Sequence, residues 1–294
     1  MKQDIIQRAL ENIRERKRTA EEAFSKQMEP IYKNQKFCEL EQKYAKIMIK
    51  NAKKASLNEF FDKNEEISLK NQIEKMKAEH NVTTPNYSCK TCKDEGFLNG
   101  QMCKCLKKEI SKVLLKDSGF ETLEDFKESE KTAGELRPVY EKMKQWCQSD
   151  FKKNLIYIYG PTGVGKTHLM KAMANELIER GKVVRLVTAF KINQDFKSFS
   201  KSFDDEILNK YLQTEILFID DLGTEPLYKN VTLEYFYLVI NERKMKKLPT
   251  IITSNLDLYD IRERYDERIF SRIMDSQTSI ALNLIGKDKR LKNH

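Results

Sequence analysis

No apolar run in this chain of 294 residues approaches the roughly 20 residues that cross a membrane. Residues 1–30 also lack the apolar core of a secretory signal, so neither a membrane partner nor export is expected, and the cytoplasm is the expected compartment. Apolar residues are thin overall, at 39% against 34% charged. Long β-rich runs are missing before residue 150, so a compact core is expected only beyond it, behind a charged, helical N-terminal part. Disulfides are not expected, because the six cysteines belong to a chain that reads as intracellular, where thiols stay reduced. Positive charge is in excess, at +9 with a pI near 9.0. That surplus suits a polyanionic partner or a merely soluble basic surface, and charge alone does not choose between them.

The stretch Gly160-Pro161-Thr162-Gly163-Val164-Gly165-Lys166-Thr167 fits the pattern G-x-x-x-x-G-K-[ST]. The apolar run 154–159 before it reads as a buried strand. After it, Leu169, Met170, Met173, Leu177 and Ile178 recur at helical spacing until Gly181. Strand, glycine-rich turn and helix N-terminus make a nest of N–H groups aimed at the β-phosphate of a nucleoside triphosphate. Lys166 is expected to neutralise the β- and γ-phosphates and Thr167 to give its hydroxyl to Mg²⁺, with His168 adjoining the nucleotide.

Downstream, Ile216–Asp221 is an apolar strand ending in two carboxylates. Asp220 is expected to hold Mg²⁺, mostly through water, and Asp221 stands where a base or a water-orienting carboxylate is needed. After a helix through Tyr235, Leu238, Val239 and Ile240, residues 249–255 form another strand. Strand C-termini meet on the ligand side of a parallel sheet, which places Asn255 to hydrogen-bond the γ-phosphate or the attacking water. Arg268 and Arg272 share a helical face at i, i+4. They suit the γ-phosphate of a neighbouring subunit; Arg268 alternatively pairs with Asp266 or Asp275.

Cys89-x-x-Cys92 and Cys103-x-Cys105 flank Asn99-Gly100, a dipeptide that favours a tight hairpin. Four thiolates brought together suit tetrahedral, structural Zn²⁺ with no open position. His80 is an alternative ligand, while Cys38 and Cys147 read as ordinary small side chains. Ahead of this module, one amphipathic helix and two further helical patterns are expected to pack as a hairpin or small bundle, or to present one apolar face to a partner. They run through Ile6–Met28 (closed by Pro30), Leu40–Met48 and Leu69–Met76. The run Arg14, Arg16, Lys17, Arg18 either touches nucleic acid or is a solvated helix face. Residues 106–135 read as a linker, whose Phe120 and Phe126 lie against an adenine base or against the next domain. A helix through Val139, Tyr140, Met143 and Trp146 then leads into the first strand, with Trp146 as a core anchor.

After a second strand at 183–187, Lys191, Phe196, Lys197, Phe199 and Lys201 interleave aromatics with lysines. Rings that stack bases and lysines that track phosphates suit single-stranded DNA. The alternative has the phenylalanines packing a helix onto the sheet.

These motifs, in this order, resemble AAA+ ATPases of the DnaC/DnaI helicase-loader family. The carriers are Gly160–Thr167 (Walker A), Ile216–Asp221 with Leu222-Gly223 (Walker B), Thr253-Ser254-Asn255 (sensor 1), Arg268-Ile-Phe-Ser-Arg272 and Gly286-Lys-Asp-Lys-Arg290. The resemblance covers residues 150–292. It implies ATP as the nucleotide, Arg272 as an arginine finger supported by Arg268, Arg290 as sensor 2, and self-association through the finger. It also implies single-stranded DNA facing the 188–201 insertion. The cysteine module resembles the zinc-bearing N-terminal domain of DnaI-type loaders, which contacts the hexameric replicative helicase. Asp221 departs from the Glu usual in AAA+ enzymes and, being one methylene shorter, implies slow turnover. The chain ends soon after Arg290, so little or no helical lid is expected. IstB-type transposition-helper ATPases are nearly indistinguishable over the ATPase domain, and the cysteine module favours the loader; a non-hydrolysing adaptor is the rival from another class. The expected architecture is α/β. An AAA+ P-loop domain with a parallel five-stranded sheet (151–294) follows a helical region (1–85), a zinc module (86–110) and a linker with a lead-in helix (111–150).

Overall fold

The computed structural model describes residues 3–57, 60, 63–120, 122–131, 133–286 and 288. Helices α1 (Gln3–Tyr32), α2 (Gln35–Ser56) and α3 (Asn64–Glu79) come first, then short strands β1 (Phe97–Leu98) and β2 (Gln101–Met102). Three helices follow, α4 (Lys104–Asp117), α5 (Phe126–Lys131) and α6 (Arg137–Cys147). Next come β3 (Leu155–Tyr159), α7 (Lys166–Glu179), β4 (Val184–Thr188), α8 (Ala189–Ser202), α9 (Asp205–Leu212) and β5 (Ile216–Leu222). The last elements are α10 (Thr232–Met245), β6 (Thr250–Ser254), α11 (Leu258–Ile273) and β7 (Ser279–Asn283). No helix among the described residues is long and apolar enough to cross a membrane. The chain divides into two compact units, one of residues 12–98 and the other of residues up to 11 together with 99 onward.

In the smaller unit, Met28, Ile31, Phe37 and Ile73 are buried together, with Phe24, Leu40, Tyr44 and Met76 packed against them. Helical spacing marks out Phe24, Met28, Leu40, Tyr44, Ile73 and Met76 of this cluster, whereas Met48, marked out in the same way, is exposed. Asn34 caps α2 by accepting the Phe37 N–H at 3.3 Å. Pro30 does not close α1, which runs on to Tyr32. Burial of Met28 and Ile31 on either side of it holds that last turn in place. Two residues of the basic run on α1 make ion pairs, Arg18 with Glu15 and Glu22 and Lys17 with Glu21 and Glu95.

The larger unit is built on a parallel sheet in the order β4-β5-β6-β3-β7. Successive side chains of a strand point to opposite faces, and a parallel sheet is covered on both. Ile156, Ile158, Val184, Leu186, Ile216, Phe218 and Ile251 accordingly join one core with α6 and α7. Leu155, Tyr157, Val187, Leu217, Ile219 and Ile252 join the other, with α8 to α11. The expected linker is not one over its first dozen residues. These belong to α4, whose Leu106, Ile110, Val113, Leu114 and Leu115 are buried. The Ser111 hydroxyl ties α4 to the sheet edge by accepting the Val184 N–H at 3.0 Å. Of the charged residues that make this stretch read as a linker, Lys112, Lys116 and Asp117 are exposed, whereas Glu109 is buried with the apolar face.

Candidate functional site

Because the strands are parallel, β3, β5 and β6 deliver their C-terminal residues to one edge of the sheet. β3 runs into Gly160, where a Cβ would sit 2.2 Å from the Leu284 carbonyl oxygen and where φ is +145°. Only glycine lets the turn pass beneath the chain leaving β7. Gly165, at φ +109°, caps α7, so Lys166 and Thr167 occupy the first turn of that helix.

Lys166 is 5% exposed, and its ammonium donates to the carbonyls of Gly160 and Pro161, both at 2.8 Å, and to Asn255 Oδ1 at 2.6 Å. Thr167 Oγ1 donates to the Asp220 carboxylate at 3.1 Å, and Thr253 Oγ1 reaches the same carboxylate at 2.5 Å. Burial raises the Asp220 carboxyl above its ordinary value and the Asp221 charge adds to this, while hydrogen bonds from Thr253 and Thr167 oppose it. The β5–β6 register slips by one residue between Ile219 and Leu222. This bulge holds Asp220 and Asp221, the latter at φ +55° with its N–H on Thr253 Oγ1 at 3.0 Å. Bulges re-aim side chains next to active sites. Here the bulge leaves Asp220 on the Thr167 hydroxyl and turns Asp221 into the cleft. A hydroxyl beside a buried carboxylate is the donor pair that Mg²⁺ takes in phosphate-loop sites, so the residues fit the ion.

The cleft holds about 460 Å³ and is lined by the phosphate loop, Asp221, Asn255, His168, Lys171 and Glu124. His168 Nδ1 lies 3.6 Å from Glu124, and the Asn175 amide holds the Glu124 backbone carbonyl at 3.0 Å. Sequence reasoning missed Glu124 and Lys171. Lys171, one helical turn after Thr167, had a spacing signal, and Glu124, on an irregular stretch, had none. The adenine reading of Phe120 and Phe126 fails, because Phe126 is buried edge-on to Tyr140 and Phe120 packs against the same core.

The arginines lie outside the cleft lining. Arg272 Nε donates to Asn241 Oδ1 at 2.8 Å, and the Arg272 and Arg268 guanidinium carbons lie 5.7 and 5.1 Å from the Tyr237 ring centroid. Arg268 pairs with Asp266 at 2.9 Å, whereas Asp275 is taken by Lys244. Arg290 falls outside the described residues.

The sulfurs of Cys89, Cys92, Cys103 and Cys105 lie within 4.8 Å of one another. A tetrahedral zinc–thiolate site needs sulfurs about 3.8 Å apart, so the cluster fits structural Zn²⁺. Asn99 (φ +50°) and Gly100 (φ +76°) make the expected tight turn. The buried Asp94 accepts the N–H groups of Ser88 and Cys89 at 2.7 and 2.9 Å, fixing the first cysteine pair. His80 caps the end of α3 and is not in the cluster.

The family model for IstB-like ATP binding proteins matches residues 107–293. The chain belongs to that family. This IstB-like protein is 32% identical over 215 residues to the phage-like element PBSX protein XkdC of Bacillus subtilis, covering 64% of this chain and 79% of that one. It is 38% identical over 103 residues to the chromosomal replication initiator protein DnaA of Campylobacter jejuni, 35% of this chain but only 23% of DnaA. The crystal structure of DnaI is 24% identical, with a TM-score of 0.42 over 52% of this chain and 84% of that one.

The lysine–aromatic stretch of the IstB-like protein forms α8, and it corrects one expectation. Phe196 is fully buried, packed against Tyr211, Tyr235 and Phe236, and has no face for a base. Phe199 is half-buried against Tyr235. Lys191 pairs with Asp195 at 3.0 Å, Lys197 lies 4.2 Å from the centroid of the Tyr228 ring, and Lys201 is exposed. The exposed rings at the two ends of α8 are Phe190 and Phe203.

Proposed function

We propose that this protein is an ATP-hydrolysing loader of a hexameric replicative DNA helicase onto single-stranded DNA, acting in the cytoplasm. The observation that carries the hydrolytic part is that Lys166, Thr167, Asp221 and Asn255 line one cleft, with Asp220 on the Thr167 hydroxyl. In this reading Lys166 holds the β- and γ-phosphates, Thr167 and Asp220 hold Mg²⁺, Asp221 orients water and Asn255 engages the γ-phosphate. Bound Mg²⁺ supplies charge neutralisation at the phosphate oxygens. Arg272, supported by Arg268, stabilises transition-state charge on the nucleotide of a second copy, with Arg290 as sensor 2. Lys197 and Lys201 follow a DNA backbone.

The helicase contact rests on the helical region and the zinc-binding cysteine module, much of which precedes the family match. A second reading, a transposition-helper ATPase, is favoured by the family description itself, and it leaves the cysteine module without a role. One experiment separates them. The full-length, zinc-loaded protein is used as bait in lysate of its source cell, and retained proteins are identified by mass spectrometry. Recovery of the replicative helicase supports the loader; recovery of a transposase, or nothing above background, overturns it.

A further inference from the structure

Glu225 lies just past the Walker B strand and is 1% exposed. A carboxylate so deeply buried must be fully occupied by donors or it would cost several kcal/mol. One oxygen accepts the Gly223 N–H at 3.0 Å, and the other accepts the Tyr265 hydroxyl, with Arg264 Nη2 3.9 Å away. Arg264 also donates to the Glu225 backbone carbonyl. Glu225 therefore joins two segments distant in sequence, the turn after β5 and the middle of α11.

Both ends of this link are mechanically significant. On the β5 side, Gly223 follows the bulge that aims Asp221, and Thr224 closes the turn with its hydroxyl on the Asp221 carbonyl at 2.8 Å. A Cβ on Gly223 would come within 2.8 Å of Leu256, so the turn also abuts the residue after Asn255. On the α11 side, Tyr265 immediately precedes Asp266, whose φ +73° and ψ 169° break the helix in two. Non-glycine residues occupy that region only where the surroundings impose it. Past the break, Asp266 caps a new helical start through the N–H groups of Arg268 and Ile269, and this half carries Arg268 and Arg272. The fully buried Tyr265 is thus the pivot from which the arginine half-helix departs.

We propose that Glu225 is a positioning residue: through Tyr265 and Arg264 it sets the aim of the arginine-bearing half of α11 by the state of the Walker B turn. This rests on the ATP-hydrolysing reading above. Its contribution is to turnover in the assembled protein and not to nucleotide affinity.

The test measures kcat and KM for ATP in the full-length protein and in Glu225→Gln, Tyr265→Phe, Arg272→Ala and the two doubles with Arg272→Ala. Folding of each is checked by thermal melting. Tyr265→Phe keeps the ring in the core, so it carries the test if Glu225→Gln does not fold. The expected result is a fall in kcat of about tenfold for Glu225→Gln and about threefold for Tyr265→Phe, with KM unchanged. Neither should lower kcat further in the Arg272→Ala background, because both act through that arginine. Losses that multiply in the doubles, a rise in KM alone, or unchanged kcat would overturn the proposal. No turnover in the wild-type protein would overturn the hydrolytic reading itself, and wild-type kcat in Arg272→Ala alone would overturn the arginine assignment.

Discussion

Lys166 and Asn255, 89 residues apart in sequence, meet at 2.6 Å, so the lysine of the phosphate loop and the amide after β6 share one hydrogen bond. Both also face the cleft. Lys166→Ala should abolish measurable ATP binding, since it removes the principal positive charge at the phosphates. Asn255→Ala should retain binding within a few-fold and lose about tenfold or more in turnover, because its contact matters most as charge develops at the γ-phosphate. Calorimetry for binding and phosphate release for turnover separate the two.

Arg272→Ala should keep ATP affinity and lose ATP turnover by about tenfold or more, the direction expected for an arginine acting on another copy's nucleotide. Turnover like that of the wild type, measured at protein concentrations that support self-association, would remove Arg272 from the mechanism.

Purified protein should carry one zinc per chain, read by native mass spectrometry. Replacing Cys89 or Cys103 with serine should lose the metal and raise protease sensitivity around residues 86–105. Binding energy in such sites is folding energy, and the hairpin has little apolar burial of its own. Retention of stoichiometric metal in Cys89→Ser would refute the four-thiolate assignment.

Phe196→Ala should destabilise the protein by about 3–5 kcal/mol, the cost of emptying a packed aromatic site. It should have no selective effect on DNA affinity among folded molecules. Lys197→Ala and Lys201→Ala should leave stability nearly unchanged and weaken single-stranded DNA binding. Each should reduce the slope of log K against log salt by about 0.7. Equal salt slopes for wild type and the lysine double variant would place the DNA elsewhere.

The Lys244 ammonium, the Gln277 N–H and the Thr278 hydroxyl hold the Asp275 carboxyl down to about 2. The same ammonium donates to the Arg272 carbonyl at 3.0 Å, tying the end of α11 to this pair. A depressed folded value means stability that is present above the unfolded carboxyl's range and lost as pH falls toward 2. Thermal melts should find Asp275→Asn less stable than wild type at neutral pH, with the gap closing as pH falls from about 4 to 2. A gap independent of pH would mean that the ion pair is not its source.

The nucleotide site was legible before any fold was known, because its chemistry is encoded locally. A glycine-rich turn between a strand and a helix specifies its own backbone geometry, and an apolar strand ending in Asp220-Asp221 places its carboxylates at a sheet edge. The cysteine spacing around Asn99-Gly100 is local in the same sense, and the sulfurs do converge. Helical periodicity marked apolar faces on α1 to α3 and interleaved aromatics marked α8, but neither pattern says what covers the apolar side chains. For that reason Phe196 was open to either a base or a core, and only the packing of Tyr211, Tyr235 and Phe236 decided it. The bulge at Asp220 and Asp221 exists only as a register between β5 and β6. Glu124 enters the cleft from an irregular stretch, and Glu225 finds Tyr265 40 residues away. Local pattern determined which groups this protein possesses. Long-range pairing, in which a buried polar group must find a partner wherever the fold brings one, decided which of them meet.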